Sequence, residues 1–408
     1  MPLETVETLI IGGGQAGIAM SRHLGALGLP HLVVERHRIA ERWRSERWDS
    51  LVANGPAWHD RFPDQDYART PPEGFPPAAE IADYLVSYAE RVKAPVRTGV
   101  EVRELRAEGK GFVAETTQGP VRANNVVTAT GPFQRPLIPT LVPQAAGFAQ
   151  LHSAQYHNPA QLPEGAVLVV GAGSSGVQIA EELRQAGREV YLSVGPHDRP
   201  PRRYRGKDFV WWLGVLGLWD AKAAQPGMAH VTIAVSGANG GHTVDFRRLA
   251  ASGITLLGRA GVYEEEVLHF APDLARNIAL GDANYLGMLD AADAYAAREG
   301  LDLPEEPEAR RLAPDPDCVT SPLLKLDLKQ AGVGAIIWAT GYAPDFGWMR
   351  FGIFDQLGNP RHQRGVSEVP GLYFLGLPWL SRRASAFIWG VWHDAGYLAG
   401  HIAARRRA

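Results

Sequence analysis

The residues of this sequence best suited to chemistry lie in two glycine-rich stretches that share one spacing. The first is Gly12-Gly13-Gly14-Gln15-Ala16-Gly17 and the second Gly171-Ala172-Gly173-Ser174-Ser175-Gly176. Each has a separate demand on its glycines. The first glycine permits a tight turn, the second lets backbone approach a ligand, and the third allows a helix to sit close on a strand. A helix that starts in such a loop presents free N–H groups and a positive dipole end, which is the chemistry of a pyrophosphate site. Glu35 follows the first loop at the distance where a carboxylate accepts the hydroxyls of an adenosine ribose. The strand expected after the second loop does not end in an acid. A basic run, Arg199 to Lys207, stands there, and Arg202 and Arg203 are the candidate partners of a ribose 2′-phosphate. The Ser174 and Ser175 hydroxyls are further phosphate donors. The two loops thus read as two dinucleotide sites, FAD at the first and NADPH at the second.

The elements around each loop support that reading. Val6–Ile11 reads as a buried strand, Ile18–Leu27 as a helix stopped by Gly28, and His31–Glu35 as the next strand. Val167–Val170, Val177–Ala186, Gly187 and Glu189–Leu192 repeat the pattern. A second pair of echoes, Asn125–Gly131 and Ala335–Tyr342, lies beyond the two units. The expected fold is α/β, with two dinucleotide-binding, Rossmann-like, three-layer ββα domains and the NADPH domain inserted into the FAD domain. The boundaries fall at residues 1–145 and 320–408 for the FAD domain and 146–319 for the NADPH domain with a pocket-shaping insert.

Composition narrows the chemistry. The 408 residues include one cysteine, Cys318, so this sequence holds neither an intrachain disulfide nor a redox dithiol. Cys/His clusters with metal-ligand spacing are missing, and no metal is expected. A net charge of −3 implies no general attraction to nucleic acid. No signal peptide or spanning apolar run is read, and a cytoplasmic location is expected. The apolar stretch Val210–Trp219 is read as core or pocket wall.

With the two loops and Ala339-Thr340-Gly341-Tyr342 in place, the sequence resembles the class B flavin-dependent monooxygenases, in the bacterial CzcO-like branch related to flavin-containing monooxygenases and the plant YUCCA enzymes. Pro370–Gly376 shares the resemblance. The family fingerprint, FxGxxxHxxx(Y/F), is degenerate: His152 and Tyr156 match, but Ala146 and Phe148 stand at the Phe and Gly positions. The resemblance implies that Arg42 and Trp43 cover the flavin and that Asn54 contacts flavin and NADP in support of catalysis. It also implies that the helix before Ala404 points its start at the flavin, with Asp394 as a cap and Trp389, Trp392 and His393 near the pocket. The implied reaction takes hydride from NADPH, forms a flavin C4a-(hydro)peroxide from O2, and transfers one oxygen atom to a small nucleophilic organic substrate. A homodimer is the family-based expectation. Baeyer–Villiger oxygenation, an NAD(P)H oxidase or flavin reductase without substrate oxygenation, and a nucleotide-sensing protein stand as alternatives.

Overall fold

The computed structural model describes residues 3–223 and 232–407. Two parallel sheets organise it. In the first, Leu372–Phe374, Gly119–Thr128, Glu4–Ile11, His31–Glu35 and Val96–Thr98 lie side by side in that order. Ile10 is in register with Val33 on one side and Val127 on the other. In the second, the order is Ile254–Leu257, Val190–Ser193, Ala166–Val170, Val333–Trp338 and Ala149–His152, again all parallel. Parallel strands are covered on both faces, so near-continuous apolar runs are required. Ala166–Val170 meets that requirement with every residue buried.

Each sheet gains an antiparallel attachment. Gly111–Thr116 and Val102–Glu108 extend from Gly119–Thr128 in the first. Beside the second, Ala260–Glu264, Val267–Phe270 and Lys325–Asp327 form a separate three-stranded sheet. One apolar core covers the first sheet under the helices Gln15–Ala26, Ala78–Arg91 and Ile388–Arg407. Two cores lie against the second sheet, one including the helix Ser174–Gln185 and the other the three-stranded sheet.

The chain returns to the first sheet later than residue 320. Val333–Trp338 is the central neighbour of Ala166–Val170, and Lys325–Asp327 also belongs beside the second sheet. A fully buried apolar strand has no polar face to say which sheet it joins. The return segment Tyr342–Ala343 pairs antiparallel with Arg135–Pro136, the segment by which the chain leaves the first sheet. The two crossings therefore run together.

Candidate functional site

At the first loop, Gly12 has φ +114°, and a Cβ there would sit 2.6 Å from the Ala129 carbonyl oxygen. A Cβ on Gly17 would lie 1.9 Å from the Gly12 carbonyl oxygen, so only glycine lets the helix Gln15–Ala26 close on its strand. Gly14, the residue that begins this helix, is different: nothing lies within 4 Å of the position its Cβ would take. No side chain caps this helix. Its first N–H groups therefore open onto free space, as an anion site requires. Glu35 ends the neighbouring strand. It accepts the Gly13 N–H at 2.7 Å through Oε2 and the His37 N–H at 2.8 Å through Oε1, which fixes the carboxylate beside the loop. The Gln15 side chain donates to the Ala386 carbonyl at 2.9 Å, and the Ala16 Cβ stands 2.8 Å from a Cβ placed on Gly376.

The second loop repeats the tight turn and the close helix contact. Gly171 has φ +106°, its Cβ would meet the Ala339 carbonyl oxygen at 2.5 Å, and a Cβ on Gly176 would lie 1.8 Å from the Gly171 carbonyl oxygen. Thr128-Ala129-Thr130-Gly131 and Trp338-Ala339-Thr340-Gly341 are thus equivalent walls, each ending the strand next to its loop. The helix Ser174–Gln185 starts at Gly173 without a side-chain cap. The Ser174 hydroxyl donates to the Ile233 carbonyl at 2.8 Å, while Ser175 lines the open space with no such commitment.

Both loops face one cleft of about 2220 Å³. Gly12, Gly14, Gln15, Ala16, Glu35, Arg42 and Trp43 line it from the first side, and Gly171, Gly173, Ser174, Ser175 and Gly176 from the second. Arg42 is paired with Glu46 at 2.7 Å, and Arg47 stands 5.5 Å from the Trp43 ring centroid. Ala386, Phe387 and Ile388 bring the start of the long C-terminal helix to the same wall.

Asn54 stands on the wall between the loops, held by Gln178, which the sequence did not single out, and by Arg202. Gln178, on the helix of the second loop, donates to Asn54 Oδ1 at 2.9 Å and to the Val235 carbonyl at 2.7 Å. Arg202 donates to the Asn54 carbonyl at 2.6 Å. With Oδ1 committed, the Asn54 amide keeps its Nδ2–H2 group for the cleft.

Arg202 and Arg203 do not stand where a 2′-phosphate would reach them. The Arg202 side chain is 3% exposed and forms a two-pronged pair with Asp208 at 2.5 and 3.0 Å. Phe75 and Phe209 flank its guanidinium at 4.8 and 4.5 Å. Arg203 lies outside the cleft and donates to the Gly240 carbonyl at 3.2 Å. The chain after Ser193 carries these arginines to other partners, so they are committed to Asp208 and the Gly240 carbonyl although they follow the second strand end closely in sequence. A different arginine stands there. The Arg259 side chain passes within 3.6 Å of the Cβ position of Gly195, which lines the cleft just after that strand. Its guanidinium is exposed and paired with Asp273 at 2.6 Å.

His152 and Tyr156 are structural in this geometry. His152 Nε2 bonds the Gly341 carbonyl at 2.9 Å and Nδ1 accepts the Ala154 N–H at 3.1 Å, which fixes the tautomer with the proton on Nε2. Burial pushes its pKa down, so it stays neutral while tying the entering linker to the second wall. The Tyr156 hydroxyl donates to Glu182 at 2.6 Å. Asp394 is not a cap: it lies inside the helix, buried, and accepts from Ser381 at 2.5 Å. Trp392 packs on His23, Phe62 and Tyr88 rather than on the cleft.

The family described as pyridine nucleotide-disulphide oxidoreductase matches residues 9–210, the span that holds both loops. A CzcO-like oxidoreductase of Geobacillus kaustophilus is 35% identical over 402 residues, covering 97% of this chain and 98% of its own. The chain belongs to the family of CzcO-like oxidoreductases. The probable indole-3-pyruvate monooxygenase YUCCA1 of Arabidopsis thaliana is 29% identical over 192 residues, 46% of each chain. The fold of a flavin-containing monooxygenase from Stenotrophomonas maltophilia superposes with a TM-score of 0.68 at 20% identity, covering 99% of this chain and 100% of that one. As a member of the CzcO-like family the chain is an oxidoreductase. With one cysteine, this sequence lacks the intrachain dithiol that the first family's description suggests. Among the described residues no helix is long and apolar enough to cross a membrane, and no cluster of His, Cys, Asp or Glu fits a metal ion.

Proposed function

We propose that this oxidoreductase is a flavin-dependent monooxygenase that uses FAD and NADPH to transfer one atom of O2 to a nucleophilic nitrogen, sulfur or activated carbon of a small organic substrate. In balance, NADPH, a proton, O2 and substrate give NADP⁺, water and the oxygenated substrate. The observation that carries the reading is the single cleft onto which two uncapped helix starts open, with free space above Gly14 and only the Thr232 methyl and the Ile233 carbonyl oxygen within 4 Å of the Cβ position of Gly173.

The residues present fit both cofactors. Gly12 to Gly17 with Glu35 would hold the FAD pyrophosphate and ribose, and Arg42 and Trp43 would cover it. Gly171 to Gly176 would hold the NADPH pyrophosphate, with Ser175 as a hydroxyl donor and Arg259 released from Asp273 onto the 2′-phosphate. FAD, when bound, supplies hydride acceptance and oxygen activation, chemistry that side chains lack. The chain's part is orientation and exclusion of water. Gln178 and Arg202 hold Asn54, so its Nδ2–H2 would serve as a fixed hydrogen-bond donor toward charge developing in the cleft. The dipole at the start of Ile388–Arg407 favours negative charge at the same wall.

The test is a substrate screen by NADPH consumption with hydrogen peroxide measured in parallel. The reading expects at least one amine, sulfide or activated-carbon compound that lowers the peroxide yield and gains one oxygen atom from labelled O2. Stoichiometric peroxide with every compound would assign the chain to the NAD(P)H oxidases instead.

A further inference from the structure

We infer that the end of the cleft beyond Asn54 is a subsite for a small organic acid, with the Arg383 guanidinium taking its carboxylate and an apolar wall taking its body. Arg383 sits in the turn that leads into the C-terminal helix and lines the main cleft. It also lines an adjoining pocket of about 280 Å³ bounded by Leu213, Leu216 and Met288. That volume is near the lower bound for small-ligand pockets, which suits an aryl or branched alkyl group.

The charge of Arg383 is poorly matched by the protein around it. Its neighbour Arg382 bonds Asp220 at 2.6 Å, but the Arg383 guanidinium makes no ion pair or hydrogen bond with another described residue. Its contacts are the Trp219 ring, 5.9 Å away, and the longer-range influence of Asp198. Burial pushes the Arg383 pKa down and the Asp198 pKa up, so each is short of a partner for its charged form. A half-buried guanidinium that lacks a carboxylate keeps its two-pronged donor face for one.

A second polar atom on the same wall is also unmatched. His59 lines the cleft, its side chain is 9% exposed, and Asp60 holds Nδ1 at 2.7 Å. Its ring stacks on Trp219 at 5.3 Å. Nε2 is buried with no hydrogen-bond partner among the described residues. Buried polar atoms are satisfied in nearly all native sites, so an orphan beside an unpaired cation points to a ligand at this wall. Phe209, Leu213 and Ile233 provide the apolar surface between them.

Calling this anion a substrate rests on the monooxygenase reading; its binding does not. The experiment compares phenylacetate with phenylacetamide on the FAD-loaded protein, by tryptophan fluorescence and flavin absorbance without NADPH. The acid is expected to bind at least about tenfold tighter than the amide, the scale of a charged hydrogen bond. Arg383→Gln should erase that ratio, and Arg383→Lys should restore part of it, each variant checked for an unchanged melting temperature. Equal binding of acid and amide by the unaltered protein would overturn the inference. So would a ratio that survives Arg383→Gln, or no detectable binding of the acid. If the ratio holds while no organic acid gains oxygen in the presence of NADPH and O2, the oxygen-transfer reading fails and the anion subsite stands.

Discussion

Arg202→Met distinguishes a structural arginine from a phosphate ligand. In the folded chain Arg202 and Asp208 pair at 2.5 Å with side chains 3% and 4% exposed, and Arg202 also reaches the Asn54 and Ser236 carbonyls at 2.6 and 3.4 Å. Methionine fills the slot between Phe75 and Phe209 but leaves the Asp208 carboxylate buried with only the Val210 N–H as partner. Breaking a buried pair in this way costs about 3–5 kcal/mol. For a unit the size of the second sheet and its helices, that lowers the melting temperature by roughly 6–20 °C. A double variant, Arg202→Gln with Asp208→Asn, removes both charges and keeps a side-chain cap for the following helix, so it should melt closer to the unaltered protein than Arg202→Met does. Because the guanidinium is enclosed, the KM values for NADPH and NADH should change by a common factor. Differential scanning calorimetry and paired KM measurements make the assay. A melting temperature within about 2 °C of the original, with KM raised for NADPH alone, would refute the structural account and return Arg202 to the phosphate.

Gln178→Leu removes the donor that fixes Asn54 Oδ1. A hydrogen bond worth about 0.5–1.5 kcal/mol corresponds to an increase of about two- to tenfold in the share of NADPH oxidised to peroxide, with FAD content retained. An unchanged peroxide share would take Gln178 out of the site's geometry. Arg259→Ala should raise KM for NADPH by about tenfold or more while leaving KM for NADH in place, since the lost contact is to a charged group; parallel rises would exclude it. Stability should fall on mild acidification. Burial depresses the pKa of His23, His31, His152, His197, His362 and His393, so each favours the folded state fully above the unfolded value of about 6.5 and loses that contribution as pH drops through its folded pKa. His242, raised by Glu181, acts in the opposite sense, with its contribution present below about 6.5 and lost as pH rises through its folded pKa. Melting temperatures measured from pH 7.5 down to 5 should therefore decline, and a flat profile would contradict the burial argument.

The parts of the site set by local geometry were readable before any coordinates. A glycine that must turn, one that must stay open and one that must let a helix close are constraints within six residues, so Gly12 to Gly17 and Gly171 to Gly176 appear in sequence as they act in space. The echo of Asn125–Gly131 in Ala335–Tyr342 also carried the placement of Val333–Trp338 beside the second loop. Reading that strand as part of the first sheet overlooked the repeat, since each echo forms the wall of its own loop. Long-range partners were another matter. Nothing near Asn54 in sequence signals Gln178, which is 124 positions away, and nothing near Ser193 signals Arg259 across the sheet. Arg202 and Arg203 were proposed from a charge run, but Asp208, six positions on, turned the first inward. An arginine followed at short spacing by an acid, Asp208, and by the aromatic residues Tyr204 and Phe209 was the available sign of burial.

The most direct test assigns each loop its nucleotide with one pair of variants. Gly14 and Gly173 both have extended backbone that alanine adopts, and an added Cβ meets nothing within 4 Å at the first and only the Thr232 methyl at 3.4 Å and the Ile233 carbonyl oxygen at 3.9 Å at the second. Either alanine should fold, but its methyl would occupy the space a pyrophosphate needs. Purified Gly14→Ala should carry much less yellow flavin per chain. Gly173→Ala should carry the normal amount, be reduced by dithionite, and be bleached by NADPH under nitrogen only at concentrations well above those the unaltered protein needs. Normal flavin in Gly14→Ala, or flavin loss in Gly173→Ala with NADPH response intact, would contradict the account.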